Sequence, residues 1–172
     1  FFKAPSVDRR DKFIIKSEYK GPGKADILIG DYTLTYKKTV VTGGLNIFPK
    51  WADKDQKTIY YTSYNYKNPT LVKLNIYTRS KDVIMESDGM IACSDVNDDG
   101  SKLLVTASPN NQPDVFLVDA RTKAKKQITK FSGIDVGAQF IEDDSRIVFV
   151  SDRLGNPNIF AQGINSTAVE RL

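Results

Sequence analysis

A pattern of apolar residues recurs along this chain every 44 residues and confines the fold more than any other feature. Ile27, Leu71, Val115 and Ile159 each open a short β-type run, in steps of 44. A second series, Val40, Ile84, Ile128 and Leu172, advances by the same 44. A third, Phe13, Ile59, Leu103 and Ile147, advances by 46, 44 and 44, the drift that one lengthened turn produces. Each period holds four strand-like runs, and a four-stranded sheet with two apolar faces cannot keep both dry alone. Repeats of this length and content predict sheets stacked side by side as the blades of a β-propeller. The expected fold is all-β, with four four-stranded antiparallel blades at approximately 1–44, 45–89, 90–133 and 134–172.

The stretch "SRIVFVSDRLGNPNIFAQG" shows one unit clearly. Ile147 to Ser151 form a β-type run, Asp152, Gly155, Asn156 and Pro157 supply a turn, and Ile159-Phe160-Ala161 return. The second strands "FIIKS", "IYYTS", "LLVTA" and "IVFVS" are almost continuously apolar or β-branched. A strand with one wet face alternates, so these are expected to be covered on both. In the first unit, Ala4 to Val7 read as the innermost strand, and Gly21-Pro22-Gly23 enforce a turn. Trp51 falls where the other units carry Val7, Val96 and Phe140, a position for packing between blades.

Composition narrows the chemistry. The net charge of +4, from 25 basic and 21 acidic residues, is too mild for a nucleic-acid binder, which concentrates basic residues on one face. The densest basic run, Arg121 to Lys130, reads as a charged edge strand that discourages edge pairing. No apolar run approaches the ~20 residues of a membrane span. Cys93 is the single cysteine and there is no histidine, so the chain builds neither an internal disulfide nor a histidine-based triad or metal site. Motifs for a nucleophile elbow, a phosphate loop or a zinc protease are missing. The acid pairs Asp98-Asp99 and Asp143-Asp144 fall in turns. Asp95, Asn97 and Asp99 match the opening of a calcium loop, but the twelfth position, where a bidentate carboxylate belongs, is Thr106. A tight polar hairpin accounts for them better than a weak cation site.

Several segments together resemble the repeat of the TolB propeller family, which serves the Tol–Pal envelope system of Gram-negative bacteria. They are "DDSRIVFVSDRLGNPNIF", "GGLNIFPKW", "SGIDVGAQF" and the acidic turn before each second strand. The resemblance covers essentially the whole chain. It implies a six-bladed parent behind an α/β domain, a periplasmic location, no cofactor and no enzymatic activity. It also implies a role in outer-membrane integrity and in constriction at division. The implied partner is the peptidoglycan-associated lipoprotein, Pal, with bacteriocin segments and TolA as further partners. The implied contact positions lie just before the first strands: Asn46-Ile47-Phe48, Met90-Ile91-Ala92 and Ile134-Asp135-Val136.

The residues add their own argument. Ile47, Phe48, Met90 and Ile91 are apolar in nominally exposed loops, and either meet a partner or plug the channel. Tyr64, Asn65, Tyr66, Asn110, Asn111, Asp152 and Arg153, from the loops between second and third strands, would form a polar and aromatic rim. On this reading Phe48→Ala or Ile91→Asp weakens lipoprotein binding without unfolding the chain. A rival reading makes the chain a propeller that gates a serine peptidase whose catalytic domain lies elsewhere. An open arc of four blades leaves two outer faces, so self-association is also expected.

Overall fold

The computed structural model describes residues 13–172 and contains four antiparallel sheets, each in chain order. The first has β1 (Ile14–Gly21), β2 (Lys24–Gly30) and β3 (Lys37–Val41). The second has β4 (Asn46–Trp51), β5 (Thr58–Ser63), β6 (Thr70–Asn75) and β7 (Lys81–Glu86). The third has β8 (Ile91–Val96), β9 (Lys102–Ala107), β10 (Asp114–Asp119) and β11 (Lys125–Gln127). The fourth has β12 (Asp135–Ile141), β13 (Arg146–Ser151), β14 (Asn158–Gly163) and β15 (Val169–Arg171). The innermost strand expected at Ala4 to Val7 lies outside the described residues.

Successive sheets face one another. One apolar cluster joins Ile27, Ile29, Val40 and Val41 of the first sheet to Ile59, Tyr61, Val72 and Leu74 of the second. A second joins Tyr60, Leu71 and Ile84 to Ile91, Leu103, Val105 and Phe116. A third joins Leu104, Val115 and Ile128 to Ile147, Phe149 and Phe160. Because side chains alternate along a strand, β5 sends Ile59 and Tyr61 one way and Tyr60 the other, and β9 divides Leu103 and Val105 from Leu104. The continuous apolar character of these two strands is thereby explained.

The repeat positions show what each sheet needs from its neighbour. Ile27, Leu71 and Val115 point at the following sheet and are fully buried, whereas Ile159, at the same register in the fourth sheet, is 54% exposed. Val40, Ile84 and Ile128 are buried by the same contact, and Leu172 is 65% exposed. The second-strand series starts from Ile14 rather than Phe13: Ile14 lies opposite Gly30 as Ile59 lies opposite Leu74. Ile14 is 39% exposed where Ile59, Leu103 and Ile147 are buried against a preceding sheet. Burial on both faces therefore holds for β5 and β9, while β13 leaves Val150 exposed on the outer face of the fourth sheet.

Other expectations resolve locally. Pro22 and Gly23 link β1 to β2, and φ of 66° at Gly23 is a left-handed conformation that glycine tolerates without a Cβ clash. Trp51 packs against the first interface and donates its indole N–H to the Phe13 carbonyl at 3.1 Å. The basic run supplies the exposed edge strand β11 and the turn before it, and its lysines tie sheets together. Lys123 reaches Asp82 at 2.6 Å, and Lys126 donates to the Ile164 carbonyl at 3.0 Å.

Candidate functional site

Two kinds of loop meet at one end of the sheets. The residue before each first strand accepts a backbone hydrogen bond from the loop that follows the second strand of the same sheet. Tyr64 donates to Leu45 at 2.9 Å, Ser108 to Met90 at 2.8 Å and Asp152 to Ile134 at 3.4 Å. A glycine makes each approach possible. A Cβ on Gly44 would lie 1.7 Å from the Asn65 amide oxygen, one on Gly89 2.6 Å from the Ser108 carbonyl, and one on Gly133 2.1 Å from the Asp152 carboxylate. The first strands also neighbour one another, β4 against β8 and β8 against β12, which sets the three loop pairs side by side.

Within this surface the residues singled out from sequence fall into buried, half-buried and exposed groups. Asn46, Ile91 and Asp135 are buried and hold the loops. Asn46 accepts from the Ser63 hydroxyl at 2.9 Å and donates to the Gly43 carbonyl at 2.8 Å. Ile91 packs in the second interface and accepts from the Thr62 hydroxyl at 2.6 Å through its carbonyl. Aspartate at Ile91 would therefore place a charge in the core, so the expectation that Ile91→Asp spares the fold is corrected. Ile47, Met90, Ala92 and Val136 are half-buried, and Phe48, Ile134, Tyr64 and Tyr66 are exposed, as are Asn65, Asn110 and Asn111.

Phe48 stands out among the exposed residues. It occupies a β-bulge between Ile47 and Lys50 in the pairing of β4 with β5, with φ of 53°. The corresponding bulge of β12 carries Gly137 at φ of 66°. A left-handed phenylalanine is costly, and bulges re-aim side chains. Here a large apolar side chain is held outward, 45% exposed.

Asp152 and Arg153 turn inward instead. Asp152 caps its loop by accepting from the Ile134 amide at 2.8 Å. Arg153 pairs with both oxygens of the fully buried Asp135 at 3.1 Å, donates to the Ser151 hydroxyl at 2.9 Å, and lies 4.9 Å from the Phe160 ring centroid. Phe131 and Phe149 complete the cage, each ring centroid 5.2 Å from the guanidinium. This cluster fixes the loop before the fourth sheet.

The calcium-like residues serve separate structural roles. The Asp95 carboxylate bridges the first strands of the second and fourth sheets, meeting the Lys50 ammonium and the Phe140 amide, each at 3.0 Å. Asn97 accepts from the Lys102 amide at 2.7 Å, and Asp99 from the Ser101 amide at 2.8 Å, which closes the hairpin. The Ser101 bonds hold the Asp99 carboxyl below its usual range. Cys93 is buried, and burial pushes its thiol up to about 12, a protonated and unreactive state at neutral pH.

The family described as the TolB beta propeller domain matches residues 9–172. The chain belongs to the TolB β-propeller family. It is 49% identical over 174 residues to the Tol-Pal system protein TolB of Wolinella succinogenes, a match spanning 100% of this chain and 41% of that protein. With the TolB of Campylobacter jejuni it shares 51% over 167 residues, 96% of this chain and 42% of the relative. The chain thus spans about two-fifths of the length of these TolB proteins. A TolB structure from Acinetobacter baumannii superposes with a TM-score of 0.81 at 29% identity, over 92% of this chain and 41% of that one. A puromycin hydrolase reaches a TM-score of 0.68 at 11% identity, over 92% of this chain and 28% of that one, a likeness of fold alone.

Sequence reasoning missed several members of this TolB-family loop surface. The serines opposite the first strands, Ser63 and Ser151, are buried partners of its polar anchors. Asp114 is also buried, at a repeat position filled by Asp26, Thr70 and Asn158 in the other units. Its recurring polarity beside apolar neighbours was the available signal. No helix among the described residues is long and apolar enough to cross a membrane.

Proposed function

We propose that this chain is part of a periplasmic, non-enzymatic protein-binding propeller of the Tol–Pal system. Its units at approximately 1–44, 45–89, 90–133 and 134–172 belong to a six-bladed ring. The loop surface receives the peptidoglycan-associated lipoprotein, and bacteriocin segments and TolA are further partners. Through this contact the protein serves outer-membrane integrity and constriction at division. The relatives' naming as Tol-Pal system proteins supports the setting. The observation that carries the docking surface is Phe48, held outward in a left-handed conformation on the loop end. Proteins keep such strain where it serves a site. Tyr64, Tyr66, Ile134 and Val136 extend an apolar and aromatic surface of the kind transient interfaces use. Asn46, Ile91 and Asp135 act beneath it, by holding the loops in place.

The test is capture of purified lipoprotein by the wild-type chain and by Phe48→Gly, with a thermal melt of both. Loss of capture with an intact melt is the expected result. Undiminished capture by a folded Phe48→Gly variant overturns the assignment of this surface.

A further inference from the structure

The turn between β9 and β10 and the long link from β11 to β12 enclose a cleft of about 500 Å³. Asn110 and Gln112 line it from the turn, and Gln127, Lys130 and Phe131 from the other side. Asp114 also lines it and is only 4% exposed. Its carboxylate accepts from the Gln127 amide at 2.9 Å, the Thr129 hydroxyl at 3.3 Å and the Phe131 backbone N–H at 3.4 Å. All three donors are neutral, and no cation pairs with Asp114 among the described residues. Burial accordingly raises the Asp114 carboxyl above its usual range.

The amides around it are already oriented. Gln127 spends an N–H on Asp114, and Gln112 donates to the Gly133 carbonyl at 3.0 Å. Neither side-chain oxygen is engaged among the described residues, so both remain available as acceptors. The cleft therefore offers a carboxylate and two amide oxygens as acceptors, and its one cationic lining residue, Lys130, is exposed and leaves Asp114 unpaired.

We propose that this cleft is a subsite for a basic side chain of a bound peptide segment, its ammonium or guanidinium pairing with Asp114. A buried charge is costly until paired, and an entering cation supplies what the chain itself does not. A guanidinium has N–H groups to spare for the amide oxygens of Gln112 and Gln127. Lys130, exposed on the rim, repels such a ligand and would attract an anion instead. Asp114 and Lys130 thus have opposite effects on a cation, and both effects reverse for an anion. The subsite lies on the loop surface proposed above as the docking site and deepens that reading, but its test uses a small probe and so does not depend on which partner docks there.

Its test is an NMR titration of the full chain with N-acetyl-arginine amide, beside N-acetyl-glutamine amide as the neutral analogue. Saturable shifts are expected at the Gln127 side-chain amide and the Phe131 backbone amide with the arginine probe only. Asp114→Asn should weaken binding about tenfold, a loss of about 1.4 kcal/mol, and Lys130→Gln should tighten it. The idea fails if those amides do not shift, if the neutral analogue binds equally, or if a folded Asp114→Asn binds as wild type. It fails equally if Lys130→Gln weakens binding, an outcome that remains decisive should Asp114→Asn not fold.

Discussion

Phe48 carries a backbone angle, φ of 53°, that a phenylalanine adopts at a cost of roughly 1 kcal/mol. Gly137 relieves the same strain in the fourth sheet, so the bulge itself does not require a side chain there. Phe48→Gly is therefore expected to match or exceed wild type in urea by up to about 1 kcal/mol while capture of the lipoprotein falls. A large drop in the urea midpoint would show that the ring is needed for packing. Asp114 makes a prediction in pH. Its carboxyl titrates above the ordinary 3.8 because burial disfavours the charge, with Asp135 adding to the effect. Between those two values the folded protein holds a proton that the unfolded chain has released. Its contribution to stability is thus present below about pH 3.8 and is lost as pH rises through the raised value. Asp114→Asn never ionises, so its stability relative to wild type should be greater at pH 7 than at pH 3. Urea melts at both pH values check this, and an unchanged difference would contradict it.

The fourth sheet depends on one ion pair for its approach loop. Asp135 has no exposed side-chain surface, and Arg153 is 18% exposed, stacked among three phenylalanines. Removing the arginine leaves a buried carboxylate without its cation, which costs about 3 kcal/mol or more. Arg153→Ala should lower the urea midpoint accordingly, and the double variant with Asp135→Asn should recover part of the loss. No recovery would mean that ring stacking, not charge, dominates. Sequence alone placed Asp135 and Arg153 on the loop surface but gave them the wrong direction. Arg153 lies in a loop, which has no strand alternation to indicate a face, and Asp135, at the very start of β12, is buried by a partner 18 positions away in sequence. Asn46 was misdirected for the same reason, since its anchor Ser63 is 17 positions distant.

For the molecule as a whole, the outer face of the fourth sheet holds the most exposed of the repeat positions. Ile159 and Leu172 occupy positions that the other sheets bury, and Val150 is exposed beside them. An apolar sheet face in water seeks cover. A second copy of the chain is expected to cover it in solution. Sedimentation velocity should show association that grows with concentration, abolished by Val150→Lys with Ile159→Lys. A monodisperse monomer at every concentration would refute the association. The basic edge of β11 takes no part in this, since Lys123 and Lys126 are engaged with neighbouring sheets.

From sequence came the four successive sheets, their strands among the described residues and the sheet-on-sheet packing. A 44-residue period and alternating side chains record contacts that every repeat makes in the same way. The same record located the loop surface, because loops follow wherever strands end. Tertiary structure alone decided which loop side chains face outward, that Asp95 joins Lys50 to Phe140, and that Asp114 lies in a cleft without a cation. Those are contacts made once, between segments without a shared period, and only the folded backbone brings them within bonding distance.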